Sequence, residues 1–400
     1  MKAYYQNIEF WDLITLPFYF ILLYFLLTAF AKSILLKDNK FINVYFLGLL
    51  LFYLAIGLID FKIKLIPFFP DTKLFTAILE TGRTPDNQSI GVKIGYKFLA
   101  IPIYNLSLRS IFNYFLFNVF FFQLGLIFLA GAFNRTYELK DVLVQRFFLV
   151  LAALAPSIVV YSFTPLRESY FVLALGLFFY GLSRKSTLNI FLVLGIVLAG
   201  ILRVQLLLYF FIIIGLNYLS QLKLSRKALI TLTVILFPVV FVGLNAISKA
   251  ILNIAITPKS LALFRNLQRL EYFESGVTYP EVFWSNWFDL ILGFPGLFFQ
   301  FLLAPFPVLI FIPFWTKIAY FADGLYLLAI LFLSVLFVRH WKNYGIWFLY
   351  IGIYLAMSAF FEFHLLGAVR HRLPATLLFL GIAASSLAYY LPKYKWIFKY

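Results

Sequence analysis

The 400-residue chain has no cysteine and only three histidines. The first absence excludes disulfides, thiolate metal sites and cysteine nucleophiles. The second leaves His340, His364 and His371 too few and too scattered for a metal cluster, so no metal is expected. Charge is also scarce, at 12% of residues against 64% hydrophobic. A soluble domain carries about 25% charged residues, and this chain lacks the polar surface to be one. Acids are scarcer still, 16 against 33 lysines and arginines, for a net charge of +17. The basic residues stand between apolar runs, where membrane topology places them, so no nucleic-acid partner is expected. No internal repeat and no appended soluble domain is apparent, and residues 1–400 read as one membrane domain.

In place of a polar surface there are long apolar runs, with a mean hydropathy of +0.95. About 20 apolar residues cross a bilayer. On that measure the chain is an all-α polytopic membrane protein of about 11 spans, near 13–31, 41–59, 110–133, 143–163, 168–183, 187–201, 204–219, 228–247, 322–338, 344–361 and 373–391. Met1 to Asp12 carries one lysine and two acids. The apolar stretch after it lacks a small-residue cleavage site, so it reads as a retained span and not as a signal peptide. The segment 287–318 is apolar enough to cross, but Pro295, Pro305, Pro307 and Pro313 interrupt it. Proline removes a donor and clashes with the preceding turn, so a re-entrant or interfacial element is expected, its broken backbone shielded by protein.

Charge placement supports that choice. With 287–318 not crossing, one side receives 16 basic residues and three acids (Asp38, Glu138, Asp141), all in short connections or at the C-terminus. Short basic connections stay in the cytoplasm. This gives an inner, cytoplasmic-membrane protein with its N-terminus outside and its C-terminus inside. Two long external connections result, 60–109 and 248–321. In the first, Leu74, Phe75, Ile78 and Leu79 form one apolar stripe, and Ile94, Phe98 and Leu99 mark a second; both predict amphipathic helices lying on the outer leaflet. Thr84-Pro85-Asp86-Asn87 between them reads as a turn.

Ionisable groups at span ends or breaks are the first places to look for chemistry. On this topology the outward ones are Asp60, Asp71, Arg167, Glu168, Arg203 and the run Glu362, His364, Arg370, His371, Arg372. Each has a plainer role to compare. Asp60 with Lys62 can cap an interface, Arg167 and Glu168 can pair to close a tight connection, Arg203 can sit in a short surface loop, and His371 with its arginines can face lipid headgroups. A loop aspartate such as Asp71 is ordinarily solvated.

At these residues the chain resembles the GT-C superfamily of polyprenyl-phosphate-dependent glycosyltransferases. Phe69-Pro70-Asp71-Thr72-Lys73-Leu74-Phe75 is similar to its first external loop, where an aspartate acts as general base. Gly200-Ile201-Leu202-Arg203-Val204-Gln205 is similar to a Leu-Arg-Pro-Glu/Gln break between short spans, with Val204 in place of proline. Arg370-His371-Arg372-Leu373-Pro374 resembles an Arg-Tyr-Arg-Leu-Pro signature opening a late span. Ala304-Pro305-Phe306-Pro307 resembles a Pro-Phe-Pro-Trp motif of related bacterial envelope proteins, with Val308 replacing tryptophan. The first loop has no Asp-x-Asp or Asp-Glu pair. The resemblance covers most of the chain from about residue 41.

The resemblance implies a polyprenyl-phosphate-linked sugar donor, a glycan or lipid acceptor and a site at the membrane-lipid surface. Asp71, then Asp60 or His371, would be the catalytic base. Arg203, Arg370 and Arg372, with Arg167, Glu168 and Gln205, would bind substrate, since guanidinium groups meet phosphate bidentately. An O-antigen-type polymerase or ligase is the nearest alternative, with Arg265, Arg269 and Glu271 of the second long connection in its site. A transporter or flippase of a lipid-linked or anionic substrate is a further alternative, and a non-catalytic scaffold the plainest.

Overall fold

The computed structural model describes residues 10–63, 70–83, 90–136, 141–184, 189–221, 255–271, 278–306, 314–337 and 341–391, with isolated positions between 242 and 249. Sixteen principal helices account for nearly all of these residues. They are α1 (Phe10–Ile34), α2 (Asn39–Ile63), α3 (Pro70–Thr81), α4 (Ile90–Leu106), α5 (Ile111–Thr136), α6 (Val142–Leu154), α7 (Pro156–Phe163) and α8 (Glu168–Leu182). They continue as α9 (Ile190–Leu202), α10 (Val204–Gln221), α11 (Pro258–Glu271), α12 (Trp287–Leu303), α13 (Phe314–Leu336), α14 (Trp341–Phe361), α15 (Leu365–His371) and α16 (Leu373–Tyr390). The only extended pairing among the described residues is an isolated bridge between Thr278 and His364.

Five stretches, Phe10–Ile34, Asn39–Asp60, Ile111–Thr136, Tyr344–Phe361 and Leu373–Tyr390, are long and apolar enough to cross a membrane. A sixth span is possible if α6 and α7 count as one, although they bend by 73° at Ala155. Pro156 begins α7 at the position where a missing N–H costs least, which explains the break. α8, α9, α10, α12 and Tyr320–Leu336 are apolar but shorter. The chain is thus an all-helical protein built as a polytopic membrane protein would be. The expected span at 228–247 lies almost wholly outside the described residues, as do Thr84 to Asn87, Pro307 and Pro313. Pro295 does not break its segment: α12 runs through it and ends at Leu303 before Pro305. One proline removes a single intrahelical bond, which an apolar helix tolerates.

The chain packs as two compact units, one of residues 1–207, 325–348 and 376–400, the other of 208–324 and 349–375. In the first, α5 is enclosed on nearly every side, with Phe112 to Asn134 buried except at Phe121. α5 packs most extensively on α8, α8 on α9, and α1 on α5. The α5–α8 crossing is set by Gly125 and Gly176, where a Cβ on either would collide with the other helix's backbone. Among apolar helices in lipid, such close approach of small residues supplies association that the hydrophobic effect cannot. Trp347 is buried between Phe133 and Phe179, with ring centroids 4.9 and 5.0 Å away.

α1 shows the membrane-facing counterpart. Leu16, Tyr19, Leu23, Leu27 and Ala31 are buried at helical spacing, whereas Phe18, Ile21, Phe25 and Phe30 are exposed. In a membrane protein the exposed face is as apolar as the buried one, so apolar periodicity alone does not reveal which face packs. α3 and α4 form in the first long connection as expected, and each has a face packed on protein. α3 buries Phe75, Ile78 and Leu79 against protein, with the Phe75 ring 4.5 Å from Tyr96. In α4 the packed face is Tyr96, Ala100 and Tyr104, while Phe98 points outward at 73% exposure.

Candidate functional site

In the second unit the connection after α14 becomes a polar centre. Glu362 follows the last turn of α14 and is 5% exposed. Its Oε1 accepts the His364 backbone N–H at 3.0 Å, and its Oε2 pairs with His371 Nδ1. His364 N-caps α15, its Nδ1 accepting from the Gly367 N–H at 3.1 Å. A Cβ on Gly367 would come within 2.7 Å of Glu362 Oε1, so the glycine keeps room for the carboxylate. α15 places His371 in its last turn, where the imidazole returns to Glu362, and the Tyr354 hydroxyl donates to the His371 carbonyl at 2.7 Å.

Arg372 is 1% exposed. Its guanidinium donates to Asp323 Oδ2 at 2.6 Å, to the Leu302 carbonyl at 3.0 Å and to the Ala304 carbonyl. The expectation that Arg372 contacts substrate is therefore met by a group already tied to three acceptors. Arg370, two residues earlier and in the last turn of α15, is partly buried.

The long connection 248–321 contributes a third side. α11 is held by Ala262, which shares a small apolar cluster with Trp284 and Leu297; Phe360 packs on it with its ring 5.5 Å from that of Trp284. This docking carries Arg265 inward, where it donates to the Ala359 and Phe360 carbonyls at 3.1 and 3.2 Å. A cation at these last carbonyls of α14 complements the helix dipole. Burial pulls the Arg265 guanidinium down to about 10, and the Glu362 charge opposes that shift, so Arg265 remains a cation at neutral pH. Tyr279 lies beside it, bonded through its N–H to the Phe363 carbonyl at 2.9 Å and through its hydroxyl to the Gln300 carbonyl at 3.0 Å. Burial, followed by Glu362, raises the Tyr279 hydroxyl well above its usual range, so it stays protonated. Arg265 and Arg372 thus stand with Glu362 around Tyr279, Asp323 pairs with Arg372, and Arg370 is the residue next to His371 in the chain.

The first unit gathers a second set. Arg167 donates to the Leu202 carbonyl at 3.2 Å and lies 5.5 Å from the rings of both Phe75 and Phe171. Glu168 opens α8 and is 3% exposed, where a carboxylate suits the positive end of the helix dipole. Tyr96, Tyr114 and Tyr170 form a buried chain of hydroxyls 3.1 Å apart. In the same unit, the Thr72, Thr76, Thr164 and Ser169 hydroxyls are buried with no protein partner among the described residues. Arg203 is the single residue between α9 and α10, partly exposed, with an extended backbone. Gln205 is exposed, and Asp60 is fully buried at the end of the second candidate span. Asp71 is the second residue of α3, but its side chain lies outside the described residues.

The predicted residues thus divide between the two units: Arg167, Glu168, Asp60, Asp71, Arg203 and Gln205 in one, Arg370, His371 and Arg372 in the other. Sequence reasoning gave no role to Asp323, Tyr279 or the tyrosine chain. Asp323 was detectable as a lone acid at the head of an apolar run; Tyr279, in a long connection, gave no such signal. Among the described residues no group of three or more His, Cys, Asp or Glu side chains is placed to hold a metal ion. Compared with protein families, characterised proteins and solved structures, the chain matches none.

Proposed function

We propose that the protein is a membrane glycosyltransferase that moves a sugar or glycan from a polyprenyl-phosphate carrier to an acceptor at the outer face of the cytoplasmic membrane. The observation that carries this reading is the Glu362–His371 pair with Arg265 and Arg372 in the same cluster, and with Arg370 next to His371 in the chain. Glycosyl transfer from a lipid phosphate needs a base for the acceptor hydroxyl and cations for the departing phosphate. Glu362 holds His371 Nδ1, orients the ring and favours the imidazolium that forms when Nε2 takes a proton. The acceptor oxygen then bonds to the anomeric carbon, the carbon–oxygen bond to phosphate breaks, and its electron pair leaves on the phosphate. Arg370 is the guanidinium to receive that charge. Arg372 positions the cluster through Asp323.

This assignment moves the base from Asp71 to His371. It leaves the tyrosine hydroxyls, Arg167 and Glu168 of the first unit as a separate buried polar set. The reading takes the eleven-span arrangement with short basic connections in the cytoplasm and both long connections outside. The resemblance to GT-C enzymes in the order of motifs supports it. The test is glycan assembly in a host lacking its own copy, with variants matched for expression. His371→Ala is expected to lower assembly by about 10²–10⁴-fold, the usual contribution of a general base, and Glu362→Gln by less. Full activity in His371→Ala would sink the reading, and full activity in Asp71→Asn would confine that aspartate to structure.

A second reading has one observation in its favour. Arg265 and Tyr279, both from the connection 248–321, complete the polar centre. A large late external segment of this kind suits an O-antigen-type polymerase or ligase that joins lipid-linked glycans. A ladder of repeat units lost in Arg265→Gln, with single-sugar extension intact, would select that reading.

A further inference from the structure

At one end of the first unit the arginines are arranged in two ways. Arg146 of α6 pairs with Asp38, Nε to Oδ2 at 2.6 Å, and so carries little net charge outward. Arg135, near the end of α5, and Arg184, just past α8, share an aromatic ring instead. Arg135 donates to the Tyr180 hydroxyl at 2.9 Å, and its guanidinium lies 4.4 Å from the ring centroid. Arg184 lies 5.5 Å from the same ring and 5.0 Å from the Phe191 ring at the start of α9. The two guanidinium carbons are therefore within about 10 Å of each other.

Tyr180 is 4% exposed and fixed between Phe128 and Phe191, with ring centroids 5.3 and 5.1 Å away. The platform is rigid, whereas both arginines are exposed. Neither has a carboxylate partner among the described residues. Like charges at this distance repel, and the negative ends of the α5 and α8 dipoles offset only part of that. An anion bridging the two would remove the rest. The adjoining face of α9 exposes Ile190, Val193, Leu194 and Val197, a surface suited to acyl chains.

We propose that Arg135, Arg184 and Tyr180 form a binding site for the phosphate headgroup of an anionic membrane lipid, whose tails lie along α9. Guanidinium forks match phosphate geometry, and basic pockets between membrane helices take anionic headgroups. The site is independent of the transferase reading and stands or falls without it.

The test is native mass spectrometry of the full-length protein, titrated with phosphatidylglycerol and, separately, phosphatidylcholine. The wild type is expected to retain the anionic lipid preferentially. Arg135→Gln and Arg184→Gln should each weaken it about fivefold, from about 1 kcal/mol per basic residue at an anionic surface. Tyr180→Phe, which keeps the ring, should weaken it by less, and Arg146→Gln should change it by less than about twofold, since Arg146 is already paired. Millimolar inorganic phosphate should compete poorly, because it lacks the tails. Equal retention of both lipids, unchanged retention in the monodisperse double-arginine variant, or displacement by phosphate alone would each overturn the assignment.

Discussion

Replacing Asp323 with alanine is the most direct probe of how the second polar centre is held. Arg372 is 1% exposed and Asp323 5%, and their 2.6 Å contact is screened by little solvent. Unit charges about 4 Å apart at an effective dielectric of 20 attract by about 4 kcal/mol. Removing one partner of a buried ion pair typically costs about 3–5 kcal/mol. The Leu302 and Ala304 carbonyls still accept from Arg372, which favours the lower half of that range. Arg372→Met should cost about as much, because it removes the cation from Asp323 and the donor from both carbonyls. The double variant should lose well under the sum of the two, with a coupling of at least about 2 kcal/mol. Unfolding in mixed micelles of mild detergent and dodecyl sulfate, followed by the fluorescence of the seven tryptophans, measures all three. Single costs below about 1 kcal/mol, or strict additivity, would refute the pair as the element that closes the centre.

Other expectations concern different parts of the molecule. Gly176→Leu places a side chain against the Gly125 carbonyl and should prevent recovery of folded protein, whereas Gly48→Leu, with no atom near its Cβ position, should be tolerated; yield of monodisperse protein separates them. Tyr114→Phe removes the middle hydroxyl of the buried chain and should cost about 1–3 kcal/mol, measured by the same unfolding assay. The hydrogen bond and charge of Arg146 lower the Asp38 carboxyl below its ordinary value. The stability this pair contributes is fully present above that ordinary value and lost as pH falls through the lowered one. Because the Arg146 side chain is 43% exposed, the amount should be at most about 1 kcal/mol, and Asp38→Asn should abolish that part of the acid dependence of unfolding.

Much of the architecture follows directly from apolar run length. Helices α1, α2, α5, α14 and α16 fall where about 20 apolar residues predict spans, since a backbone in hydrocarbon must bond internally. The break at Arg203 was legible for the same reason: a guanidinium in the middle of an apolar run marks a place where the run must reach water or an anion. The grouping of Glu362, His371 and the neighbouring arginines in one short connection was also readable, because those residues are adjacent in the chain.

The identity of the packed faces was not legible. α4 looked amphipathic through Ile94, Phe98 and Leu99, yet it packs through Tyr96, Ala100 and Tyr104. Lipid accepts phenylalanine as readily as protein does, so hydrophobicity does not distinguish the two sides. Partnerships over long separations were equally hidden. Arg372 meets Asp323 and the carbonyls that end α12, and Arg265 reaches the end of α14, only because α11 and α12 pack beside the end of α14 within the second unit. Composition and run length determined that this chain is made of membrane-type helices with most of its charges at helix ends and breaks. Tertiary structure alone decided which of those charges are tied to buried partners and which stand open, because burial and pairing depend on what other segments bring.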